Sequence, residues 1–412
     1  MADRYDLNDA AVIQDPFPLL AEMRRDAPVH WNHAVKGWFV TRYHDVRMVM
    51  RDPRFSVEKM APFAGHANPS IQHKIGFLAD VLGGWMVFMD PPGHTRLREV
   101  LQSAFMPRTL AQLRPRVVAV ANDLLDAVGG RTQIDLIAEY AYPLPATVIG
   151  DLCGVPREKT GQFKSWANDI GAFVLQGRDA PDKHTRTTRA LRECVDYYHE
   201  LVAEHRRHPR DDLTSLMIDG GGTSHRLSDD EIVSTLVLLL FAGHETTTNL
   251  IANGMLALLR HPEQMALLDA DRSLIPSAVE EFLRFEGPVS TIVRIAAQDI
   301  EIGGQTIKAG ERVFASLEAA GRDSDIFTDP DRVDITRRRN AHIAFGKGIH
   351  LCIGAPLARL EGQVAFEALL NRYCDFQLQA PAPDWRDELI TRGLNTLPIS
   401  FCHRGQGPSD DI

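Results

Sequence analysis

A single cysteine stands in a glycine-rich stretch directly before a predicted helix. Residues 345–354 read FGKGIHLCIG, and Ala355 to Glu361 then begin a helix with Pro356 in its first turn. Free N–H groups and the helix dipole favour an anion at such a place, so the pattern predicts a lowered pKa for Cys352. A cysteine thiolate is a ligand of haem iron. A lone cysteine without this setting would more simply be a small buried apolar residue.

Six positions of this stretch follow the pattern F-G-x-G-x-H-x-C-x-G. They are Phe345, Gly346, Gly348, His350, Cys352 and Gly354. The pattern resembles the haem-binding signature of the cytochrome P450 family. The resemblance implies haem b (iron protoporphyrin IX) as cofactor and Cys352 as its proximal iron ligand. It also implies that Phe345, Gly346, His350 and Gly354 contact the haem.

A histidine and an arginine share one face of another predicted helix. The sequence DPPGHTRLR over residues 90–98 places His94 and Arg98 four positions apart. Two donors on one face suit an anionic group, although an isolated pair of this kind is more often a solvated surface. The pattern resembles the family's propionate-binding helix. The same resemblance assigns Arg294 and His350 to the remaining propionate contacts.

A long apolar helix is predicted between Ser228 and about Arg260. Ser228 and Glu231 form a capping box at its start, and its length of about 45 Å would let it cross the whole molecule. Inside it, residues 242–247 read AGHETT. The small residues Ala242 and Gly243 would allow a flat ligand to approach the backbone closely.

An acid and an alcohol follow that small pair. Glu245 and Thr246 lie in apolar surroundings, where polar groups are costly unless they are satisfied or used. The alternative interpretation is that Thr246 only bonds back to the preceding turn and bends the helix. The hexapeptide resembles the family's oxygen-activation motif, A-G-x-[DE]-T-T. The resemblance implies that Glu245 and Thr246 are catalytic and deliver protons during oxygen activation.

A further acid–base pair, Glu281 and Arg284, stands three positions apart before Gly287-Pro288. Alone, such a pair is common on solvated helices. About 70 residues before the cysteine stretch, it resembles the family's structural E-x-x-R motif. Arg332 is then expected to be the third partner of this pair.

The overall composition restricts the class of protein. The 412 residues carry 55 acidic and 45 basic side chains, a net charge of -10, which argues against a general nucleic-acid binder. Five scattered cysteines fit neither a disulfide framework nor a zinc site. The polar N-terminus and the lack of a long apolar run predict no signal peptide and no membrane anchor. A cytoplasmic protein is expected.

The order of patterns along the chain predicts a mainly helical fold with a small β region. Helices are predicted over residues 15–28 and 43–51, a hairpin lies between them, and residues 57–84 read as a long irregular loop that is either functional or simply on the surface. Residues 109–220 read as amphipathic helices, in which Phe163, Trp166, Ile170 and Phe173 form a stripe. The resemblance implies one cytochrome P450 domain over residues 1–412, with a disordered tail at about 405–412.

The function implied by the resemblance is O2-dependent monooxygenation of a small apolar organic molecule. Electrons would come from a separate ferredoxin or flavodoxin, which a reductase supplies from NAD(P)H. The expected ligands are terpenoid, steroid, fatty or aromatic compounds. The candidate substrate-pocket residues are Leu238, Leu239, Val289, Val293 and Leu394.

Three other functions remain open at this point. An H2O2-driven peroxygenase on the same fold would replace the acid–alcohol pair, which is intact at Glu245 and Thr246. A haem-thiolate sensor or carrier without turnover would not need that pair. A helical protein without a cofactor would not be coloured on expression.

A basic cluster precedes and enters the cysteine stretch. It consists of Arg337, Arg338, Arg339 and Lys347. On an acidic protein, such a patch suits an acidic electron carrier. The alternative is a structural segment whose arginines are paired internally.

Overall fold

The computed structural model describes residues 4–60, 72–175, 182–380 and 382–405. Its helices, named α1 to α15 in chain order, are Ala10–Gln14, Phe17–Asp26, Tyr43–Arg51, Gln72–Gly83, Gly93–Gln102, Pro107–Val128, Pro143–Leu152, Thr160–Val174, Lys183–Arg207, Leu213–Asp219, Asp229–Arg260, Pro262–Ala270, Ile275–Phe285, Leu317–Gly321 and Ala355–Arg372. Short 3-10 turns lie at Met86–Phe88, Ser103–Phe105, Arg157–Lys159, Arg272–Leu274 and Gly348–His350, and a π-helical turn lies at Ile137–Ala141.

The strands form three small sheets among the described residues. They are β1 to β10, Val29–Asn32, Gly37–Val40, Phe55–Ser56, Gln133–Asp135, Thr291–Ala296, Ile300–Ile302, Gln305–Ile307, Arg312–Ser316, Tyr373–Leu378 and Pro398–His403. One sheet has the order β1-β2-β8-β5-β3, another β4-β10-β9, and β6 pairs with β7. In the first sheet β2 and β8 are parallel, and the other neighbours are antiparallel.

Helix α11 runs through the largest hydrophobic cluster of the described residues. It packs against α7, α9, α13 and α15, and most of its side chains between Ile232 and Leu258 are buried. The Ser228 hydroxyl accepts from the Glu231 N–H, and the Glu231 carboxylate accepts from the Ser228 N–H, which completes the predicted capping box. The predicted central helix is therefore confirmed, and it places the AGHETT segment deep in the molecule.

The predicted irregular region contains a helix. Helix α4, Gln72–Gly83, occupies its second half, and Leu78 and Leu82 are fully buried in the main cluster. The prediction of a loop over all of residues 57–84 is therefore wrong for this part, while residues 61–71 lie outside the described residues. Of the predicted tail, only Gly405 is described. None of the described helices combines the length and the apolar character needed to cross a bilayer.

Candidate active site

The cysteine stretch forms a tight loop that leads directly into helix α15. The Cys352 N–H donates to the Phe345 carbonyl at 2.9 Å, which closes the loop on itself. Gly346 and Gly348 both have φ of 76°, a conformation that suits glycine. A Cβ at Gly348 would also lie 2.8 Å from the Met50 carbonyl oxygen of α3. These constraints hold the Cys352 thiol at the start of α15.

The surroundings of Cys352 act on its pKa in opposite directions. Burial is the largest effect and raises the pKa of the thiol, whereas the N–H groups of Gly354 and Ala355 and the guanidinium of Arg98 lower it. The prediction of a lowered pKa was therefore wrong for the protein alone. The helix-terminal N–H groups act as predicted, but the effect of the protein atoms packed around the thiol is larger than theirs.

Most of the predicted site residues line one cavity of about 310 Å³. Those that line it are His94, Arg98, Leu238, Leu239, Ala242, Gly243, Thr246, Val289, Arg294, Phe345, Gly346, His350, Cys352 and Gly354. They come from α5, α11, the β5 region and the cysteine loop. The fold therefore brings together segments that are up to about 260 residues apart in sequence.

Cationic and imidazole side chains gather at one wall of this cavity. The rings of His94 and His350 lie 4.3 Å apart, and Nδ1 and Nε2 of His94 and Nε2 of His350 have no partner among the described residues. Burial lowers the pKa of Arg294 to about 10, and burial together with Arg294 lowers that of His350 to about 3. Within the described chain, neither Arg98 nor Arg294 has a carboxylate at salt-bridge distance. The wall therefore offers several hydrogen-bond donors to an anionic group.

Gly243 has a packing role beside its place in the cavity wall. A Cβ there would lie 2.8 Å from Cγ1 of Ile149, so the glycine lets α7 approach α11 closely. The small pair was predicted to admit a flat ligand. Ala242 and Gly243 do line the cavity, and contact between the two helices gives a second reason for the glycine.

Glu245 and Thr246 point in different directions, as adjacent helix positions must. Thr246 lines the cavity, and its hydroxyl donates to the Ala242 carbonyl at 3.0 Å. Glu245 turns away and accepts from the guanidinium of Arg386. Thr246 therefore forms the expected hydrogen bond to the preceding turn of the helix, and its side chain also lines the cavity.

Two predicted pocket residues lie elsewhere. On β5, Ile292 and Arg294 face the cavity, so Val293 between them faces the other side of the sheet, where it packs near Phe39 and Phe314. Leu394 is 2% exposed in the main hydrophobic cluster and forms a bridge with Trp385. The prediction that these two side chains line the pocket was wrong.

The aromatic stripe on α8 belongs to the core as well. Phe163, Trp166 and Ile170 are buried in the main cluster, and none of them lines the cavity of Cys352. Phe173 is only partly buried against the same cluster.

The E-x-x-R pair forms, and it contacts Arg332 as well as an arginine that was not predicted. Arg284 donates to both oxygens of Glu281, each at 2.7 Å, and both side chains are fully buried. Arg332 contributes only its backbone carbonyl, which accepts from Arg284 at 2.9 Å. The second guanidinium at Glu281 belongs to Arg337. Arg332 therefore joins this pair through its backbone, and its side chain is exposed.

Sequence reasoning missed an acid at the cavity, Glu361 on α15. It is buried and lines the cavity, and burial raises its pKa to about 8, against the effect of a hydrogen bond with Thr247. Its Oε2 has no other partner among the described residues. The sequence contains one signal for this residue, because Glu361 stands nine positions after Cys352 on a helix face that is otherwise apolar.

Comparison with known proteins assigns these features to one family. The Cytochrome P450 family model matches residues 178–402. The chain is 42% identical over 399 residues to cytochrome P450 107B1 of Saccharopolyspora erythraea, which covers 95% of this chain and 96% of the relative. It is 40% identical over 411 residues to the vitamin D(3) 25-hydroxylase of Pseudonocardia autotrophica, with 98% of each chain covered.

Solved structures agree with this assignment. P450BioI, in complex with an acyl carrier protein ligated to hexadec-9Z-enoic acid, superposes with a TM-score of 0.89 at 36% identity, over 95% of this chain and 99% of that one. The predicted fold class is therefore confirmed. The chain belongs to the cytochrome P450 family, and it is a cytochrome P450 monooxygenase of the bacterial type.

The described residues fit the haem that this family implies. A thiol at the cavity wall can ligate iron, and the unpartnered nitrogens of His94 and His350 with Arg98 and Arg294 match two carboxylates. The rest of the wall is mainly apolar, as a porphyrin requires.

Proposed function

We propose that this monooxygenase inserts one oxygen atom of O2 into a largely apolar organic molecule of lipid or steroid character. The observation that carries the proposal is the set of apolar side chains that line the same cavity as Cys352. It is formed by Leu101, Phe105, Leu238, Leu239, Leu283, Val289 and Ile292. Burial of such a ligand is favoured by about 25 cal/mol for each Å² of apolar surface removed from water.

The relatives support this substrate class. One of them is named for hydroxylation of vitamin D(3), and a solved neighbour holds a sixteen-carbon acyl chain on its carrier protein. Both ligands are long and mainly apolar. We extend that character, and not either compound, to the substrate of this chain.

The residues of the cavity would divide the work between binding and proton transfer. Cys352 would ligate the iron, while His94, Arg98, Arg294 and His350 would hold the two propionates. When bound, the haem supplies the oxygen-activating chemistry. Thr246 would accept a hydrogen bond on the cavity side, because its own proton is donated to Ala242, and Glu245 would transfer protons from the other face of α11.

Electrons would come from NAD(P)H through a reductase and a ferredoxin or flavodoxin. Beside Cys352, the exposed side chains of Ile349 and Leu351 and the half-buried Lys347 form a surface with apolar and basic character. Such a surface suits an acidic protein partner. Arg337 was predicted to belong to this surface, but it does not, because its guanidinium is paired with the buried Glu281.

A peroxygenase or a non-catalytic haem-thiolate sensor is less well supported. Thr246 lines the cavity and Glu245 is held by the guanidinium of Arg386, and ligand binding alone requires neither feature.

Spectroscopy and turnover test the proposal together. The ferrous carbon-monoxide adduct should show the red-shifted absorption of thiolate ligation, and Cys352→Ser should lose it. Vitamin D(3) and hexadec-9Z-enoic acid, within a library of apolar compounds, should include ligands that shift the spin state. Product should form with a surrogate ferredoxin and reductase. Turnover with H2O2 alone at an equal rate would favour the peroxygenase, and ligand binding without any product would favour the sensor.

A further inference from the structure

Arg386 joins two carboxylates that lie in different parts of the chain. Its Nη1 donates to Oε1 of Glu245 on α11 and lies 3.6 Å from Oε1 of Glu388. Its Nη2 donates to Oδ1 of Asn249 at 2.6 Å, one turn further along α11. Because one guanidinium contacts both positions, the direction of the Glu245 side chain is fixed.

The chain after β9 is folded closely over this guanidinium. The Arg386 N–H donates to the Gly393 carbonyl at 2.9 Å, and Trp385 bridges to Leu394. A Cβ at Gly393 would collide with the guanidinium of Arg386 and the side-chain amide of Asn249. The segment therefore holds Arg386 against α11 rather than leaving it on the surface.

Glu388, the second carboxylate, is suited to hold a proton. Its side chain is only 8% exposed, and the Thr391 hydroxyl donates to its Oε2. Burial is the largest cause that raises its pKa, and the carboxylates of Glu245 and Asp387 add to it, while Arg386 and Thr391 act in the opposite direction. Two carboxylates that share one guanidinium nitrogen favour protonation of the more buried one.

A polar cavity of about 60 Å³ borders Arg386 and Glu388 on the side away from α11. Its polar wall consists of Ser290, Thr291, Ser316, Glu318, Arg386, Glu388, Thr391 and Arg392. Buried cavities with several polar partners hold water. The groups that face Glu388 across it are Glu318, whose pKa burial also raises, and Arg392, which is paired with Glu286 at 3.1 Å.

Part of the wall of this cavity comes from a short helix at the protein surface. Val12 and Ile13 of α1 form part of its wall, and none of the five residues of α1 is buried. A helix this short has little stability of its own. Water and protons can therefore exchange with this cavity without disturbing the main core.

We propose that this polar cavity and Glu388 supply protons to Glu245, and that Arg386 is the positioning residue that holds Glu245 between this cavity and the one at Cys352. The proposal rests on the proposed function and adds a route for its protons. Glu388 releases its carboxyl proton through water to the Glu245 carboxylate, and Glu245 releases that proton toward the cavity of Cys352. Glu388 then takes a new proton from water in the polar cavity. No electrons move, and each carboxyl returns to its starting state.

Isosteric variants of the full-length haem-loaded protein test the route. Glu388→Gln removes the transferable proton and keeps the shape, and Glu388→Asp restores an acid. Asp387→Asn is the matched control, because it makes the same acid-to-amide replacement at the neighbouring exposed position. Turnover of Glu388→Gln should fall about 10- to 100-fold, and its solvent isotope effect should be larger than that of the wild type. A positioned general acid contributes about 100-fold or more to a rate, so this loss lies at or below the lower end of that range. Glu388→Asp should recover part of the rate, and Asp387→Asn should match the wild type.

A second measurement does not depend on turnover. At neutral pH the difference between the infrared spectra of the wild type and of Glu388→Gln should contain a carboxylic-acid C=O band that shifts in D2O, whereas the bands of other protonated carboxyls, such as Glu361, cancel. Thr391→Val, which removes the hydroxyl from Glu388, should shift that band and keep it. An unchanged band together with a wild-type isotope effect in Glu388→Gln would overturn the route. If the wild type forms no product with any compound but Glu388→Gln still loses the band, only the proposed function would be contradicted.

Discussion

Nε of Arg337 lies 3.2 Å from Oε2 of Glu281, although 56 residues separate the two in sequence. The fully buried Glu281 carboxylate also accepts from Arg284, from the Asp334 N–H at 2.8 Å and from Asn340 at 3.0 Å. A buried charge with this many donors is fixed in place. The contact between Arg337 and Glu281 therefore attaches the irregular segment before the cysteine loop, which contains Arg337, to α13.

Loss of this attachment should be visible in stability. Arg337→Ala should lower the free energy of unfolding by about 2 kcal/mol, because it removes charge-assisted hydrogen bonds from a buried carboxylate. Denaturant unfolding measures this difference. Arg338→Ala, at the next and exposed position, should leave it unchanged. Equal stability of the two variants would contradict the assigned pairing.

Glu280 gives a pH-dependent prediction beside the same loop. It accepts from Arg359 at 2.6 Å and contacts His342 at 2.9 Å, and Arg359 lies over the Phe345 ring at 4.5 Å. Burial, its largest single influence, raises the pKa of Glu280, but His342 and Arg359 together outweigh it and lower the pKa to about 2. The carboxylate therefore stabilises the fold at pH values above 4.5, its pKa in the unfolded chain. This contribution is lost as the pH falls toward about 2, its pKa in the folded protein.

The test is Glu280→Gln in denaturant unfolding at several pH values. At neutral pH the variant should be less stable by roughly 1–3 kcal/mol, and the difference should shrink between about pH 4.5 and about pH 2. Glu263→Gln, at an exposed position of α12, serves as control. A difference that is constant across this pH range would show that Glu280 acts by packing and not by charge.

Arg98 should be needed for haem retention. Arg98→Ala should weaken haem binding by about 2 kcal/mol, since a charge-assisted hydrogen bond to a propionate is lost. The haem-to-protein ratio after heating or dilution measures this. Arg96→Ala is the matched control on the same helix, because Arg96 pairs with Glu231 and does not line the cavity. Equal haem loss from both variants would count against the placement of the propionates.

Lys347 should affect reduction by the electron carrier. Lys347→Glu should slow electron transfer from a surrogate acidic ferredoxin at low ionic strength, and added salt should reduce the defect by screening. Stopped-flow reduction under carbon monoxide gives the rate. Arg207→Glu, at the exposed end of α9, should have no effect. A wild-type rate for Lys347→Glu at low salt would remove the proposed docking surface.

Thr246 should control the coupling of NAD(P)H consumption to product. Its hydroxyl lines the cavity while it donates to Ala242. Thr246→Ala should still bind the substrate and consume NAD(P)H, but product should fall roughly tenfold and H2O2 should rise, because a proton-handling group is lost. Thr246→Ser should restore most of the coupling. Full coupling in Thr246→Ala would mean that the hydroxyl serves only the helix.

The elements that carry their own local signals were predictable from the sequence. The helix after Ser228 has its capping box, and the cysteine loop has glycines at positions with positive φ and a proline that starts α15. Both depend on backbone geometry over a few residues. The family resemblance likewise rests on short motifs, which is why most of the residues that it assigned to the site line the cavity.

Only the tertiary structure decided which side chains meet over long distances. The partner of Glu245 is Arg386, 141 residues later, and the partner of Glu281 is Arg337 rather than Arg332. Val293 faces away from the cavity because the pairing of β5 with β8 sets which face each side chain takes. Local sequence restricts the backbone, but packing between distant segments sets the direction of a buried side chain and thereby its charge and its partner.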